Sequence, residues 1–286
     1  MGGRTLRAIA DRRSPLALCA ALLVLFACRV AAQPERRAAV DTFNAANKAY
    51  SEERYDVAAP MYEQVIAALP DQPIAFLYLG NCYDHLASRA ARGSQQLHDL
   101  LKKSEAAYQT GATKLLAMNN AGATKNAITI LEMQAALYTP DRLEDPAAAR
   151  AVMQQLIGLV PADPAYQFSL AKLEENAEQY DAAEAALVKA LALSPTAQTY
   201  ADASAHYWDI AAHGSRMTPV RETMYLEKAM AAADRSLAID AANADAMADK
   251  SQIIREEAGL EKDKKKKETL IKDADSWAAR AKAARK

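Results

Sequence analysis

The chain has 286 residues, of which 51% are hydrophobic and 25% are charged, and its formal net charge is −1. This composition is too apolar for a disordered chain and too polar for a bundle of membrane helices. The small net charge provides no field that would attract nucleic acid. Glycine is scarce, with 9 residues, whereas alanine, the strongest helix former, is abundant. We therefore predict an all-α protein and exclude a β-sandwich, a β-barrel and a glycine-rich nucleotide-binding fold.

Residues 1–32 have the pattern of a signal peptide. Four arginines lie among the first 13 residues, and an apolar stretch over 15–27 follows them. A membrane-spanning helix needs about 20 apolar residues, and that stretch is shorter. The small residues Ala31 and Ala32 precede Gln33. We expect cleavage before Gln33 and export to the periplasm or cell envelope of a Gram-negative bacterium.

Two alternatives for this segment stay open. Residues 25–28 (Leu-Phe-Ala-Cys) are similar to a bacterial lipobox, in which Cys28 would be lipidated and would anchor an outer-membrane lipoprotein. The arginine pair at 12–13 favours twin-arginine export only weakly, because a serine and a proline follow it. Contact with a membrane is expected only if Cys28 is lipidated. Beyond the signal segment the cysteine is Cys82, which we expect to be a small buried side chain.

The same residue types recur at a fixed distance along the chain. Four pairs are 34 positions apart: Ala46 and Gly80, Asn47 and Asn81, Ala149 and Ala183, Pro161 and Pro195. A period of this length is typical of helical-repeat proteins, in which one repeat cannot bury its own apolar face and several must stack.

Residues 42–70 carry a motif around these anchors that resembles the tetratricopeptide repeat. Small residues stand at repeat positions 8 and 20, aromatic residues at 17 and 24, and proline at 32: Ala46, Ala58, Tyr55, Tyr62 and Pro70. Residues 164–195 follow the same pattern. The resemblance implies an all-α, right-handed superhelical solenoid. The small residues of the motif let two helix backbones approach closely. We predict about six helix hairpins, or about twelve helices.

The predicted organisation has three parts: a signal peptide over 1–32, a solenoid with irregular, extended repeats over 33–243, and a capping helix pair over 244–286. An extra stretch near residues 87–96 predicts a longer loop or lengthened helices. The run Lys264–Lys267 is predicted to be a solvated connection between the two capping helices.

Residue patterns that carry catalysis are lacking. The four histidines form no metal-binding motif, and no nucleophile elbow, phosphate-binding loop or dinucleotide fingerprint occurs. A Cys-x-x-His pair at 82–85 has no second pair to complete a zinc site. We therefore expect no cofactor, no metal and no enzymatic activity. A periplasmic enzyme or small-ligand receptor is the alternative of another class.

The resemblance implies that the first helix of each hairpin lines a concave groove. The positions that would face a ligand are Phe43, Asn47, Tyr50, Leu77, Asn81, Asp84, Phe168, Lys172 and Glu175. Such a lining suits an extended peptide or a helix of a partner protein. We therefore expect a protein-interaction scaffold or adaptor. For Asn47 and Asn81, hydrogen bonds within the solenoid are the alternative.

Overall fold

A computed structural model describes residues 34–214 and 217–285, and within them the chain forms twelve α-helices and no strand. The helices are α1 (34–51), α2 (Tyr55–Ala68), α3 (Pro73–Ser88), α4 (Gln95–Ala117), α5 (Ala121–Ala135), α6 (Pro146–Leu159), α7 (Pro164–Asn176), α8 (Tyr180–Leu193), α9 (Ala197–His213), α10 (Pro219–Ile239), α11 (Ala244–Leu260) and α12 (Lys264–Ala284). A short 3-10 turn, Ala136–Tyr138, follows α5. The predicted signal peptide and Cys28 lie outside these residues.

The described helices divide into two compact units, with the boundary between Ile130 and Leu131 in α5. Unit 1 contains α1 to α4 and most of α5, and unit 2 contains the rest. The predicted boundary at residue 243 stays a prediction. None of the described helices is long and apolar enough to cross a membrane.

Several helices begin at prolines or at side chains that cap the first turn. Proline occupies the first turn of α3, α6, α7 and α10, where its missing N–H costs nothing. The side chains of Ser94, Asp145 and Asp163 accept hydrogen bonds from the first backbone N–H groups of the helices that follow them. The predicted extra stretch near residues 87–96 forms a loop between α3 and α4 and also the start of a long helix, since α4 has 23 residues.

One prediction about a connection was wrong. The run Lys264–Lys267 is the first turn of α12, and the connection consists of the three residues before it. Asp263 starts the helix there by accepting hydrogen bonds from the backbone N–H groups of Lys265 and Lys266. A good N-cap therefore outweighs the unfavourable position of four lysines at the positive end of the helix dipole.

The core of unit 1 is built from alanines and tyrosines. Ala46 and Ala58 are fully buried where α1 crosses α2, and Tyr62 is fully buried beside them. Cys82 belongs to the same cluster and is also fully buried. Burial raises the pKa of its thiol to about 12, so the group stays protonated and unreactive at neutral pH. The expectation of a small buried cysteine is confirmed.

The crossing of α3 and α4 depends on a glycine. Gly80 lies against the ring of Tyr108, which is fully buried. A Cβ atom at position 80 would have three atoms of that ring within 3.0 Å. The carbonyl oxygen of Gly80 accepts a hydrogen bond of 2.9 Å from the hydroxyl of Ser104, which is buried on α4. The two helices therefore contact each other almost backbone to backbone.

Unit 2 repeats this design with more helices. Alanines of α7, α8, α9 and α10 form the core together with the fully buried Leu187 and Tyr225. The hydroxyl of Ser204 donates to the carbonyl oxygen of Ala229 at 2.9 Å, which joins α9 to α10 as Ser104 joins α4 to α3. Arg150 of α6 holds the buried Glu174 of α7 with two hydrogen bonds of 2.6 and 2.7 Å.

Gly80→Ala tests the importance of this close contact. We expect a loss of about 1–3 kcal/mol in the free energy of unfolding, because the added methyl group overpacks a buried contact with a rigid ring. Gly158→Ala is the control, since a Cβ atom there would meet nothing within 4 Å. The control is expected to be neutral or to stabilise by up to about 1 kcal/mol. Urea denaturation followed by circular dichroism measures both, and equal effects of the two variants would contradict the prediction.

Candidate functional site

The structure places the six candidate residues of unit 1 on α1 and α3, and all six are half-buried. Contacts join three of them, Phe43, Tyr50 and Asn81, into one surface, in part through Tyr78 of α3. The side chain of Asn81 donates to the hydroxyl of Tyr50 at 3.3 Å, and Phe43 packs edge-on against the ring of Tyr78, with 6.3 Å between centroids. Asn47 lies one helical turn from both Phe43 and Tyr50 on α1. Leu77 and Asp84 lie on α3, within one or two turns of Asn81.

The two asparagines have equivalent partners in consecutive repeats. The hydroxyl of Tyr62 donates to Oδ1 of Asn47 at 2.7 Å, and the hydroxyl of Tyr108 donates to Oδ1 of Asn81 at 2.6 Å. The alternative expectation of hydrogen bonds within the solenoid is therefore correct for both residues. In each case the bond uses the amide oxygen. Within the described residues Nδ2 of Asn47 has no partner, and Nδ2 of Asn81 uses one of its two hydrogens.

The tyrosine hydroxyls are protonated at neutral pH and therefore donate, and burial raises the pKa of Tyr62 and Tyr108 further above its usual value. Burial also raises the pKa of Tyr50. Since the Tyr50 oxygen accepts from Asn81, its own hydrogen is available for another group. The surface therefore presents amide and hydroxyl donors in fixed positions.

Part of the aromatic lining was not predicted from the repeat positions. Tyr78 stacks on Tyr62 at 5.5 Å and meets the edge of Tyr50 at 5.2 Å. His85 stacks on Tyr55 at 4.2 Å, and the guanidinium of Arg89 lies 5.1 Å from the centre of the Tyr55 ring. The spacing of seven residues between Tyr78 and His85 puts them on one face of α3, a signal that the repeat alignment did not use.

In unit 2 the three candidate residues lie on α7 but differ in exposure. Phe168 is half-buried and stacks on His206 of α9 at 5.7 Å. Lys172 is exposed and forms ion pairs with Asp209 and, at 3.1 Å, with Glu175. Glu175 is only 8% exposed and also hydrogen-bonds to His206.

The groove position of Glu175 stays a prediction, although its side chain is nearly buried. His206 of α9 hydrogen-bonds to it, and Lys172 forms an ion pair with it. Burial would raise the pKa of Asp209, but hydrogen bonds from Lys172 and His213 hold it below its usual value. The ion pair between Lys172 and Asp209 is thus fully charged at neutral pH.

Two adjacent hollows open beside α7. The first has a volume of about 310 Å³ and lies between α7, α6 and the segment that follows α5. Its apolar lining includes Tyr138, Pro140, Ala149, Met153 and Leu173. The second has a volume of about 200 Å³ and is lined largely by charged residues of α7, α9 and the turns after them. Lys172 and Asn176 line both hollows, so one ligand could occupy the two together.

Several solved structures are similar to this chain, whereas the other comparisons find no match. No protein-family model and no curated protein sequence matches the chain. Similar solved structures include YrrB, described as a TPR protein with an unusual peptide-binding site, at 18% identity and a TM-score of 0.43, covering 73% of this chain and 90% of that one. MamA matches at 17% identity and a TM-score of 0.43, covering 71% of this chain and 95% of that one. TTC0263, a TPR protein of Thermus thermophilus, matches at 17% identity and a TM-score of 0.29, covering 73% and 94%.

These identities and TM-scores are too low to support an argument about the fold. The fold is therefore described from the helices of this chain alone. Helices α3 and α4, α7 and α8, α9 and α10, and α11 and α12 pack in pairs, and small residues occupy the crossings that the repeat motif requires. The described residues thus form an all-α arrangement of packed helix pairs, as predicted, and their sequence motif resembles the tetratricopeptide repeat.

A double-mutant cycle on Asn47 and Tyr62 tests the bond between them. Asn47→Ala should cost about 1–3 kcal/mol in the free energy of unfolding, because it leaves a fully buried hydroxyl without an acceptor. Tyr62→Phe should cost less, about 0.5–1.5 kcal/mol, since the half-exposed Asn47 can be hydrated. The double variant should lose at least about 0.5 kcal/mol less than the sum of the single losses. Strict additivity in urea denaturation would show that the bond does not contribute.

Proposed function

We propose that this chain is a non-enzymatic protein-interaction scaffold of the bacterial cell envelope that binds an extended peptide or a helix of a partner protein. The observation that carries the proposal is the pair of asparagines in unit 1. Asn47 and Asn81 are each fixed through their oxygen by a buried tyrosine and keep amide hydrogens for a ligand. Half-buried aromatic rings lie next to both.

Amide donors and aromatic rings suit the two parts of a peptide. The N–H groups of Asn47 and Asn81 can donate to backbone carbonyls, which every peptide presents whatever its sequence. The rings of Phe43, Tyr50 and Tyr78 can pack against its apolar side chains. Because the packing of α1, α2, α3 and α4 fixes these groups before binding, little side-chain entropy is lost when a ligand arrives.

Asn47→Asp separates binding from stability. The carboxylate keeps an acceptor for Tyr62 but has no hydrogen to donate, so the variant should fold and yet bind peptides about 3–10-fold more weakly, as for the loss of one hydrogen bond. The ligands are peptides selected by the full chain from a random phage-displayed library and then synthesised with a fluorescent label. Fluorescence polarisation measures their dissociation constants.

Asn126→Asp is the matched control, because Asn126 is an exposed helical asparagine of α5 and makes no hydrogen bond within the described residues. It introduces the same charge without altering the proposed surface. If both variants bind with the affinity of the unmodified chain, or if no peptide is selected, the proposed surface on α1 and α3 is not a binding site.

Export to the envelope is proposed on the arginine-rich and apolar pattern of residues 1–32. Mass spectrometry of the protein purified from membrane and soluble fractions of a Gram-negative host tests it. A mature chain beginning at Gln33 supports a soluble exported form. A diacylated chain beginning at Cys28 supports the alternative of an outer-membrane lipoprotein. A chain that retains residues 1–32 in both fractions would contradict export.

A further inference from the structure

The two hollows beside α7 differ in chemistry although they share Lys172 and Asn176. The first is mainly apolar, and its volume of about 310 Å³ lies at the lower end of the range for ligand pockets. Ala149, Met153 and Leu173 form part of its wall, and Ser169 of α7 lies exposed at its edge. A space of this kind suits one bulky apolar side chain.

Carboxylates dominate the charged residues around the pair of hollows. Four of them line it, against one lysine and one histidine: Glu144, Glu175, Glu178 and Asp209, with Lys172 and His213. Glu175 and Asp209 are paired with Lys172. Glu144 and Glu178 are exposed and form no ion pair within the described residues. Two carboxylates, one at each hollow, therefore have no ion-pair partner within the described residues, and the four carboxylates outnumber the single lysine.

The backbone fixes the positions of these two residues. Glu144 and Glu178 both have left-handed backbone conformations, with φ of 47° and 57°. Glu178 lies in the turn between α7 and α8, which is closed by the hydrogen bond from its N–H to the carbonyl oxygen of Glu175 at 2.9 Å. The N–H of Glu144 donates to the carbonyl oxygen of Thr139 at 3.1 Å. Both carboxylates thus extend from closed turns that do not depend on a ligand.

We propose that this pair of hollows binds a peptide segment in which a bulky apolar residue adjoins an arginine or a lysine. The apolar side chain fills the larger hollow, and the cationic group lies by the carboxylates of the smaller one, where Glu178 provides a charge that no residue of the described chain neutralises. Charge complementarity selects this occupant over an apolar segment with acidic neighbours. The site deepens the proposed scaffold function, but it lies in unit 2 and uses none of the residues on α1 and α3.

Four synthetic peptides test the proposal against the full chain. Each carries a fluorescein label and a glycine-serine frame, and the central pair is Phe-Arg, Arg-Phe, Phe-Glu or Ser-Arg. Fluorescence polarisation should show the tightest binding for Phe-Arg or Arg-Phe and at least about tenfold weaker binding for the other two, as expected when one anchor or the charge match is lost. Raising the salt concentration should weaken the binding of the basic peptides.

Two variants locate the binding. Glu144→Gln with Glu178→Gln should weaken Phe-Arg or Arg-Phe binding several-fold and reduce its dependence on salt. Ser169→Phe should abolish it by filling the larger hollow from its exposed edge. Glu53→Gln is the matched control, because Glu53 has the same left-handed backbone, φ 56°, in the corresponding turn of unit 1 and is equally exposed. It should leave binding unchanged, and circular dichroism should show that every variant melts as the unmodified chain does.

Equal binding of the Phe-Glu and Phe-Arg peptides would overturn the proposal, as would binding that persists in Ser169→Phe. Asn47→Asp separates this site from the surface on α1 and α3. If the basic peptides bind Asn47→Asp normally, the unit 2 site stands on its own. If Asn47→Asp abolishes their binding, the peptides use unit 1 and the proposal fails.

Discussion

The structure depends on how closely helix backbones approach each other at crossings that only small residues such as alanine, glycine and serine can occupy. At the crossing of α3 and α4, a single methyl group on Gly80 would collide with Tyr108. The close approach of the helices also allows the hydroxyls of Ser104 and Ser204 to donate hydrogen bonds to backbone carbonyls on neighbouring helices. Large side chains are then needed beside each crossing to fill the remaining volume, and buried tyrosines supply them.

The buried tyrosines connect stability to the candidate surface. Tyr62 and Tyr108 are fully buried, yet each ends in a hydroxyl that needs an acceptor. Asn47 and Asn81 provide it at the edge of the core, and this fixes the orientation of their amides. The hydrogen bonds use the amide oxygens, so a role in packing is compatible with the binding role proposed for these two asparagines.

The spacing of residues along the chain predicted the helices well. Small residues such as Ala46 and Gly80 are needed where helices cross, so the 34-residue repeat of these crossings is visible in the sequence. The spacing could not predict the burial of Glu175, because that depends on His206, which lies 31 positions away on another helix. The larger hollow beside α7 could not be predicted from the sequence either, because a 3-10 turn and an irregular segment at 136–145 form one of its walls. Irregular backbone has no period, so its contribution to a site appears only in three dimensions.

The four lysines that begin α12 give the last hairpin an unusual response to ionic strength. They crowd the positive end of the helix dipole, where cations are unfavourable, and they repel one another. Dissolved salt screens both effects and should tighten this turn. The same salt weakens the exposed ion pairs Arg255–Asp275 and Arg285–Asp245, which join α11 to α12. Ionic strength therefore acts in opposite directions at points within a single pair of helices.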